Sequence, residues 1–405
     1  MLEVVSLEEA REIVARRFPQ GERSAPCAVS LSDAAGRTIA HDVVAQEGIP
    51  PFDRSTVDGF AVVAADTFGC SEALPALLEI AGEVQMGSAP ACACSPGSCV
   101  RIPTGGALPS GADAVVMLEH CEEYGDGTVG IMRAAAPGDN VVFACDDVAP
   151  GETIVPAGTL LRPHHLGTLA SLGITSCEVL PRMRVAVIST GDEIVPPDQM
   201  PAASQMRDVN TPVLAAAVRA CGGEAQVWPI VPDRFELLLE AVRTACETCD
   251  VVLVSGGSSA GERDNTARVL AELGAVLFHG VAVKPGKPTL CADVAGVPVF
   301  GLPGHPVAAY FMFLELVRPL LSPTAARLGA RRRMQAKLVS AVPSNHGRSE
   351  FVAVRLEERE GESRAVPIRS KSGLISQLAQ ADGYIVIDRN TEGLAAGTTV
   401  SVRLF

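Results

Sequence analysis

Five short stretches between residues 189 and 306 carry side chains suited to phosphate chemistry. STGDE spans Ser189 to Glu193, and VPDR contains Asp233. SGGSSAGERD runs from Ser255 to Asp264, KPGKP from Lys284 to Pro288, and GLPGHP from Gly301 to Pro306. Ser255, Gly256, Gly257 and Ser258 open a run nearly free of side chains, where backbone N–H groups can approach an anion closely. Lys284 and Lys287 each precede a proline, which presents their cations stiffly to a phosphate or oxyanion. Glu193, Asp233 and Asp264 are hard oxygen donors of the kind that hold Mg²⁺ against phosphate. No G-x-x-x-x-G-K-[ST] run occurs, and no G-x-G-x-x-G follows the first strand of this region. The site is therefore neither a P-loop nor a dinucleotide fingerprint.

The elements around these stretches are readable over residues 182–324. RVAVIST is a β-rich run. VNTPVLAAAVRACGG is a helix with Asn210 as its N-cap and Gly222 and Gly223 as its stop. AQVWPIV, DVVLVSGG, AVLFHGVAV, PTLCADVAG and VPVFGLPG read as strands. RFELLLEAVRTACE, NTARVLAELG and the segment from Pro306 read as helices. This alternation predicts a central, doubly wound, mostly parallel α/β domain. In such sheets ligands bind beyond the carboxyl ends of the strands, where these loops fall.

Residues 49–141 show almost no helical periodicity and are rich in Gly, Pro and short Val runs, which predicts an inserted β domain. Within it, PPFDRSTVDGFAV carries Asp58 and RIPTGGALPSGADAVV carries Thr104 before a glycine turn. By composition alone these are either functional loops or β-hairpin turns. Residues 1–48 and 142–181 form a mixed N-terminal and linker domain. Residues 325–405, with AKLVSAVPS, EFVAVRLEE and GYIVIDR as strands, form a C-terminal β-barrel-like domain.

A chain of 405 residues is too long for one core. Its 4% aromatic content excludes a stacking platform for single-stranded nucleic acid, and its net charge of −14 excludes wholesale binding to a phosphate backbone. The N-terminal stretch MLEVVSLEEAREIVARRF lacks the apolar centre of a signal peptide and reads as an amphipathic helix with a Ser6/Glu9 capping box. PVAAYFMFLELVRPLL is interrupted by Glu315 and Arg318, so it reads as a core helix, and no membrane span is expected. Twelve cysteines without a secretory signal predict reduced thiols in the cytoplasm. CACSPGSC offers three sulfurs without an obvious fourth ligand, and CETC sits at a helix end; both read as structural or incidental.

Taken in order, PPFDRSTVDGFAV, RIPTGGALPSGADAVVMLE, STGDE, SGGSSAGERD, VKPGKP and GLPGHPV resemble the molybdopterin molybdenumtransferases, the MoeA and gephyrin E-domain family, over essentially the whole chain. The resemblance implies a four-domain subunit forming a homodimer, in which adenylylated molybdopterin and molybdate give molybdenum cofactor and AMP with Mg²⁺. It implies functional roles for Asp58, Thr104, Glu193, Asp233 and Asp264, with Lys284, Lys287, Pro303 and Pro306 lining the ligand. Arg348 and Ser372 fall near the oxyanion. Contacts with the adenylyltransferase and with acceptor molybdoenzymes are further implied partners; nucleic acid and membrane are not. GDNVVFACDD departs from the family pattern: Val142 and Cys145 replace an arginine and a glycine, and Asp147 takes the acid position. His305 stands where asparagine is common. The oxyanion thus stays open between molybdate and tungstate. The rival readings are an adenylyltransferase on the same α/β domain and a non-catalytic, molybdopterin-binding scaffold.

Overall fold

The computed structural model describes residues 4–19, 25–256, 265–321, 333–359, 361–368 and 371–405. It divides the chain into two compact units, one of residues 1–26 and 180–405, the other of residues 27–179.

In the larger unit, helix α1 (Leu7–Arg17) begins at the expected capping box. Glu9 N donates to Ser6 Oγ at 3.1 Å and Ser6 N to Glu9 Oε2 at 3.4 Å. Leu7, Ala10 and Val14 recur at helical spacing and bury the inner face of α1 in the core of this unit. The central sheet holds β1 (Arg184–Ser189), β2 (Glu224–Val227), β3 (Val251–Ser255), β4 (Ala275–His279), β5 (Leu290–Val294) and β6 (Val297–Leu302), in the order β2-β1-β3-β6-β5-β4. Strands β2, β1, β3 and β6 run parallel, while β5 and β4 add an antiparallel edge. Helices α2 (Asn210–Ala220), α3 (Phe235–Thr248), α4 (Asn265–Leu273) and α5 (Pro306–Met312) supply the crossovers and covering layers. Strand β3 is buried at every position, as a strand covered on both faces must be, and the two cores flanking the sheet divide its alternate residues.

Beyond α5 the chain makes a π turn over Phe313–Val317. Strands β7 (Arg333–Leu338), β8 (Ser349–Arg359), β9 (Glu362–Pro367), β10 (Gly383–Ile387) and β11 (Thr399–Leu404) then close a barrel in the order β8-β9-β7-β11-β10, with β10 returning to β8. Phe311 of α5 stacks on Phe351 of β8 at 5.3 Å between ring centroids and tilts against Tyr384 of β10 at 5.1 Å. At the centre of this contact lies Glu315, only 3% exposed. It accepts from Tyr384 Oη at 2.5 Å and from Arg403 Nη1 at 2.7 and 3.0 Å, and it pairs with Arg11 of α1. Burial, and then the neighbouring Arg403 charge, hold the Arg11 pKa below its ordinary value, so these cations are stable together only around the carboxylate.

The smaller unit contains a six-stranded sheet whose order is Ala114–Met117, Gly59–Val62, Ser98–Ile102, Ala76–Glu83, Thr128–Ile131, Cys121–Glu123. Phe60, Val62, Leu78, Cys99, Val116, Val129 and Ile131 pack one core against it. A second core surrounds Ile39, Val155, Leu161, Leu169 and Val179, where Cys27–Ser30 pairs antiparallel with Ser176–Val179 beside the helix Pro163–Ser171. All twelve cysteines are free thiols. Burial pushes Cys99 and Cys121 up to about 12.

Two outcomes follow from these cores. Glu315→Leu removes the carboxylate and leaves two guanidinium groups in a desolvated contact; we expect a loss of about 3–5 kcal/mol in chemical denaturation, seen as a lowered denaturant midpoint. At about pH 8 a maleimide should label the exposed Cys145 while Cys99 and Cys121 stay protected until unfolding. Their folded pKa of about 12 exceeds the ordinary 9.0, so stability is full below pH 9 and falls as pH rises toward 12. Denaturation midpoints across that range check the sign.

Candidate active site

The carboxyl ends of β1, β3 and β6 open onto one cleft of about 1010 Å³. Ser189, Thr190, Gly191 and Glu193 line it after β1, Asp233 after β2, Ser255 and Gly256 after β3, and Pro303 to Pro306 after β6. Gly373 and Ile375, the latter opening the short helix Ile375–Leu378 between β9 and β10, add to the wall. The parallel sheet brings these loops together, because every parallel strand ends on the same edge.

Two glycines make the crowding possible. Gly256 has φ +111°, and a Cβ there would lie 2.0 Å from the Thr190 carbonyl oxygen. A Cβ on Gly191 would lie 2.9 Å from Glu193 Oε2, so its absence lets that carboxylate fold back over its own loop. Asp233 is held from two sides: its N donates to Asp192 Oδ1 at 3.2 Å, and Asn265 Nδ2 donates to its Oδ1 and its carbonyl, each at 3.1 Å.

Beneath the loops runs a buried polar web that the sequence reading missed. Asp208 Oδ1 accepts from Ser189 Oγ at 3.0 Å and from Thr211 N at 3.1 Å, while Ser189 Oγ and Thr211 Oγ1 are 2.8 Å apart. The N-cap of α2 is Val209, which makes no side-chain cap bond, so the expectation that Asn210 is the N-cap is corrected; Asp208, one residue before it, accepts a first-turn amide instead. The signal was present, an acid three residues before the amide it caps, but Asn210 competed for the same role. Asn210 instead donates from Nδ2 to Ser255 Oγ at 2.6 Å and to the Gly304 carbonyl at 2.8 Å. It ties the end of β3 to the loop after β6.

The other expected residues are distributed as follows. Ser372 Oγ lies 2.8 Å from His305 Nδ1, and Ser372 O accepts from Val307 N at 3.2 Å, so this serine meets the start of α5. Lys284 pairs with Glu350 at 2.9 Å, and Glu350 also accepts from Ser344 Oγ at 2.9 Å. Lys287 is exposed in the same loop, next to Pro288 of the cleft. Arg348 is half-buried in the turn before β8, away from the cleft lining. Gly257, Ser258 and Asp264 lie outside the described residues. Among the described residues no group of three or more His, Cys, Asp or Glu could hold a metal ion by itself.

In the smaller unit, Asp58 and Thr104 meet: Thr104 N donates to Asp58 Oδ1 at 2.7 Å. The two loops interlock through Ser55 N to Gly106 O at 3.0 Å and Gly105 N to Ser55 O at 2.8 Å. Asp147 is exposed, with its N donating to Ile49 O at 2.9 Å, beside a loop in which Ala144 N donates to Asp53 Oδ1 at 2.7 Å.

Residues 186–323, the α/β domain that carries the cleft, match a family model described as a probable molybdopterin binding domain. Residues 5–173 match the MoeA N-terminal region (domain I and II), and residues 335–405 match the MoeA C-terminal region (domain IV). The chain is 32% identical to a molybdopterin molybdenumtransferase of Bacillus subtilis, an alignment covering 99% of this chain and 94% of that one. It is 30% identical to the molybdopterin molybdenumtransferase of Haemophilus influenzae, covering 99% of each. A crystal structure of a molybdopterin biosynthesis MoeA protein from Pyrococcus horikoshii OT3 superposes with a TM-score of 0.86 at 30% identity, covering 100% of both chains. The chain belongs to the MoeA family.

The close approach of β3 to β1 yields a test. Gly256→Ala places a methyl group against backbone that cannot give way, at a φ that L residues rarely adopt. We expect a loss of more than about 2 kcal/mol in urea denaturation; a Gly256→Ala protein as stable as the parent would show that β1 and β3 are not so closely opposed.

Proposed function

We propose that the chain is a molybdopterin molybdenumtransferase of molybdenum cofactor biosynthesis, which inserts molybdate into adenylylated molybdopterin and releases AMP with the help of Mg²⁺. The observation that carries this reading is that Glu193 and Asp233 line the same cleft as the small-residue turn at Ser255 and Gly256. Carboxylates alone would repel an anionic ligand, whereas the turn and its backbone amides would receive one. The two become compatible if a divalent cation lies between them.

The residues present fit Mg²⁺. That ion keeps several waters and uses one or two carboxylates together with substrate phosphate, so no closed protein cage is needed. Glu193 and Asp233 would hold it, joined by Asp264. When bound, it would offset charge developing at the phosphoanhydride as AMP departs. Asn265 fixes the Asp233 carboxylate through its 3.1 Å bond, so the ligand geometry is set before substrate arrives. Pro303 and Pro306 stiffen the far wall, and the Ser372–His305 pair closes the rim toward the barrel. Asp58, Thr104 and Asp147 are assigned to the reaction on the family's pattern, and Lys284, Lys287 and Arg348 to the anionic groups of the ligand. Lys284 would have to exchange Glu350 for the ligand to do so. By the same resemblance the chain works as a cytoplasmic homodimer; among the described residues no helix is long and apolar enough to cross a membrane.

The test is release of AMP from adenylylated molybdopterin by the purified chain. We expect turnover that requires molybdate and Mg²⁺ and stops on chelation, while tungstate in a parallel arm reports oxyanion preference. Glu193→Gln should slow release by about 100-fold or more, since a metal ligand at a charge-developing centre is worth several kcal/mol, yet leave the Tm within about 2 °C because an exposed loop acid contributes little to the core. Metal-independent release, or an unimpaired Glu193→Gln enzyme, would overturn the assignment. Native mass spectrometry checks the dimer.

A further inference from the structure

Asn210 stands at the floor of the cleft with its donors committed and its acceptor open. Its Nδ2 gives one hydrogen to Ser255 Oγ and one to the Gly304 carbonyl, at 2.6 and 2.8 Å. A carbonyl oxygen can only accept, so Gly304 settles which end of the amide faces these two loops. Ser255 Oγ is then an acceptor toward Asn210, and the hydroxyl must send its own proton elsewhere. Among the described residues no protein group accepts it. Two more polar atoms here, Asn210 Oδ1 and Thr190 Oγ1, are buried without a partner among the described residues, although their side chains belong to residues only 8% and 1% exposed. Both residues line the cleft. Unmatched buried polar groups are costly, and an ordered water or a ligand can complete them.

We propose that Asn210 is a positioning residue for the anion-receiving turn: it holds the Ser255 hydroxyl as an acceptor on the protein side, so that the hydroxyl donates its proton to a phosphate oxygen of the bound ligand. This rests on the reading of the cleft as the site of an adenylylated, phosphate-bearing pterin. The amide does not touch the phosphate. It removes the alternative orientation in which the Ser255 proton turns inward, and so the donor is oriented before the ligand enters.

The test is a double-mutant cycle on the full chain, read by calorimetric titration of AMP in the presence of Mg²⁺. Asn210→Ala and Ser255→Ala should each weaken AMP binding by about 10-fold, the scale of one lost hydrogen bond to a charged group. The double variant should bind within about 2-fold of Ser255→Ala, because the amide has nothing left to orient. Asn210→Leu, which keeps the volume, repeats the cycle if the alanine variant does not fold. Inorganic phosphate in a parallel arm should respond to Ser255→Ala but bind more weakly than AMP throughout. Losses that multiply to about 100-fold in the double variant would mean that Asn210 merely ties the loops, and would overturn the proposal; so would a Ser255→Ala protein with parental affinity. A parent chain that neither binds AMP nor releases it from the adenylylated substrate would overturn the functional reading and this proposal with it, whereas an active parent with an additive cycle overturns the proposal alone.

Discussion

The buried carboxylate of Glu315 is the constraint on which the larger unit depends. A charge this deeply desolvated is tolerated only when it is paired and hydrogen-bonded. Its donors come from three places: Arg11 on α1, Tyr384 on β10 and Arg403 on β11. None of these can satisfy it unless the N-terminal helix, the helix carrying Glu315 and the barrel are all docked. The aromatic contacts of Phe311 with Phe351 and Tyr384 supply the apolar area around the charge, and the charge selects one arrangement of that area. The consequence reaches the cleft. With the barrel held on α5, the segment bearing Ser372, Gly373 and Ile375 stands at the rim opposite the strand ends.

The cleft is a local exception to the electrostatics of the whole chain. A net charge of −14 disfavours anions at long range, so an anionic ligand must be received by short-range dipoles and donors. Parallel strands supply these by ending together, and Gly256 lets its loop approach the backbone at Thr190. Asp208 then spends its buried charge on orientation, with Ser189, Thr211 and the first turn of α2 arranged around it. Asn210, the first residue of α2, uses its side chain to join β3 to the loop after β6.

Much of this was legible beforehand. The alternation of β-branched runs with amphipathic segments predicts the α/β order and its strand-end loops, since period and length are local properties. The antiparallel edge of β5 and β4 and the closing strands β9 and β11 were less visible. Strand direction depends on which neighbour a run finds, and barrel closure depends on register across distant segments. Ser6 and Glu9 announced their capping box because both partners sit within one turn. Asp208 did not announce its web, because Ser189 lies 19 residues away in sequence.

By itself, then, the sequence determined the types of the elements, the loops rich in acids and small residues, and the family those motifs resemble. Each of these is carried by spacing within a short window. Tertiary structure alone decided that Glu315, which reads as an interruption in an apolar helix, is the anchor between that helix and the barrel. It decided that Lys284 stands beside Glu350, that Thr104 donates its amide to Asp58, and that Asn210 faces Ser255. The reason is physical: a residue's type limits what it can donate or accept, but only the folded chain determines which group lies within hydrogen-bonding distance of it.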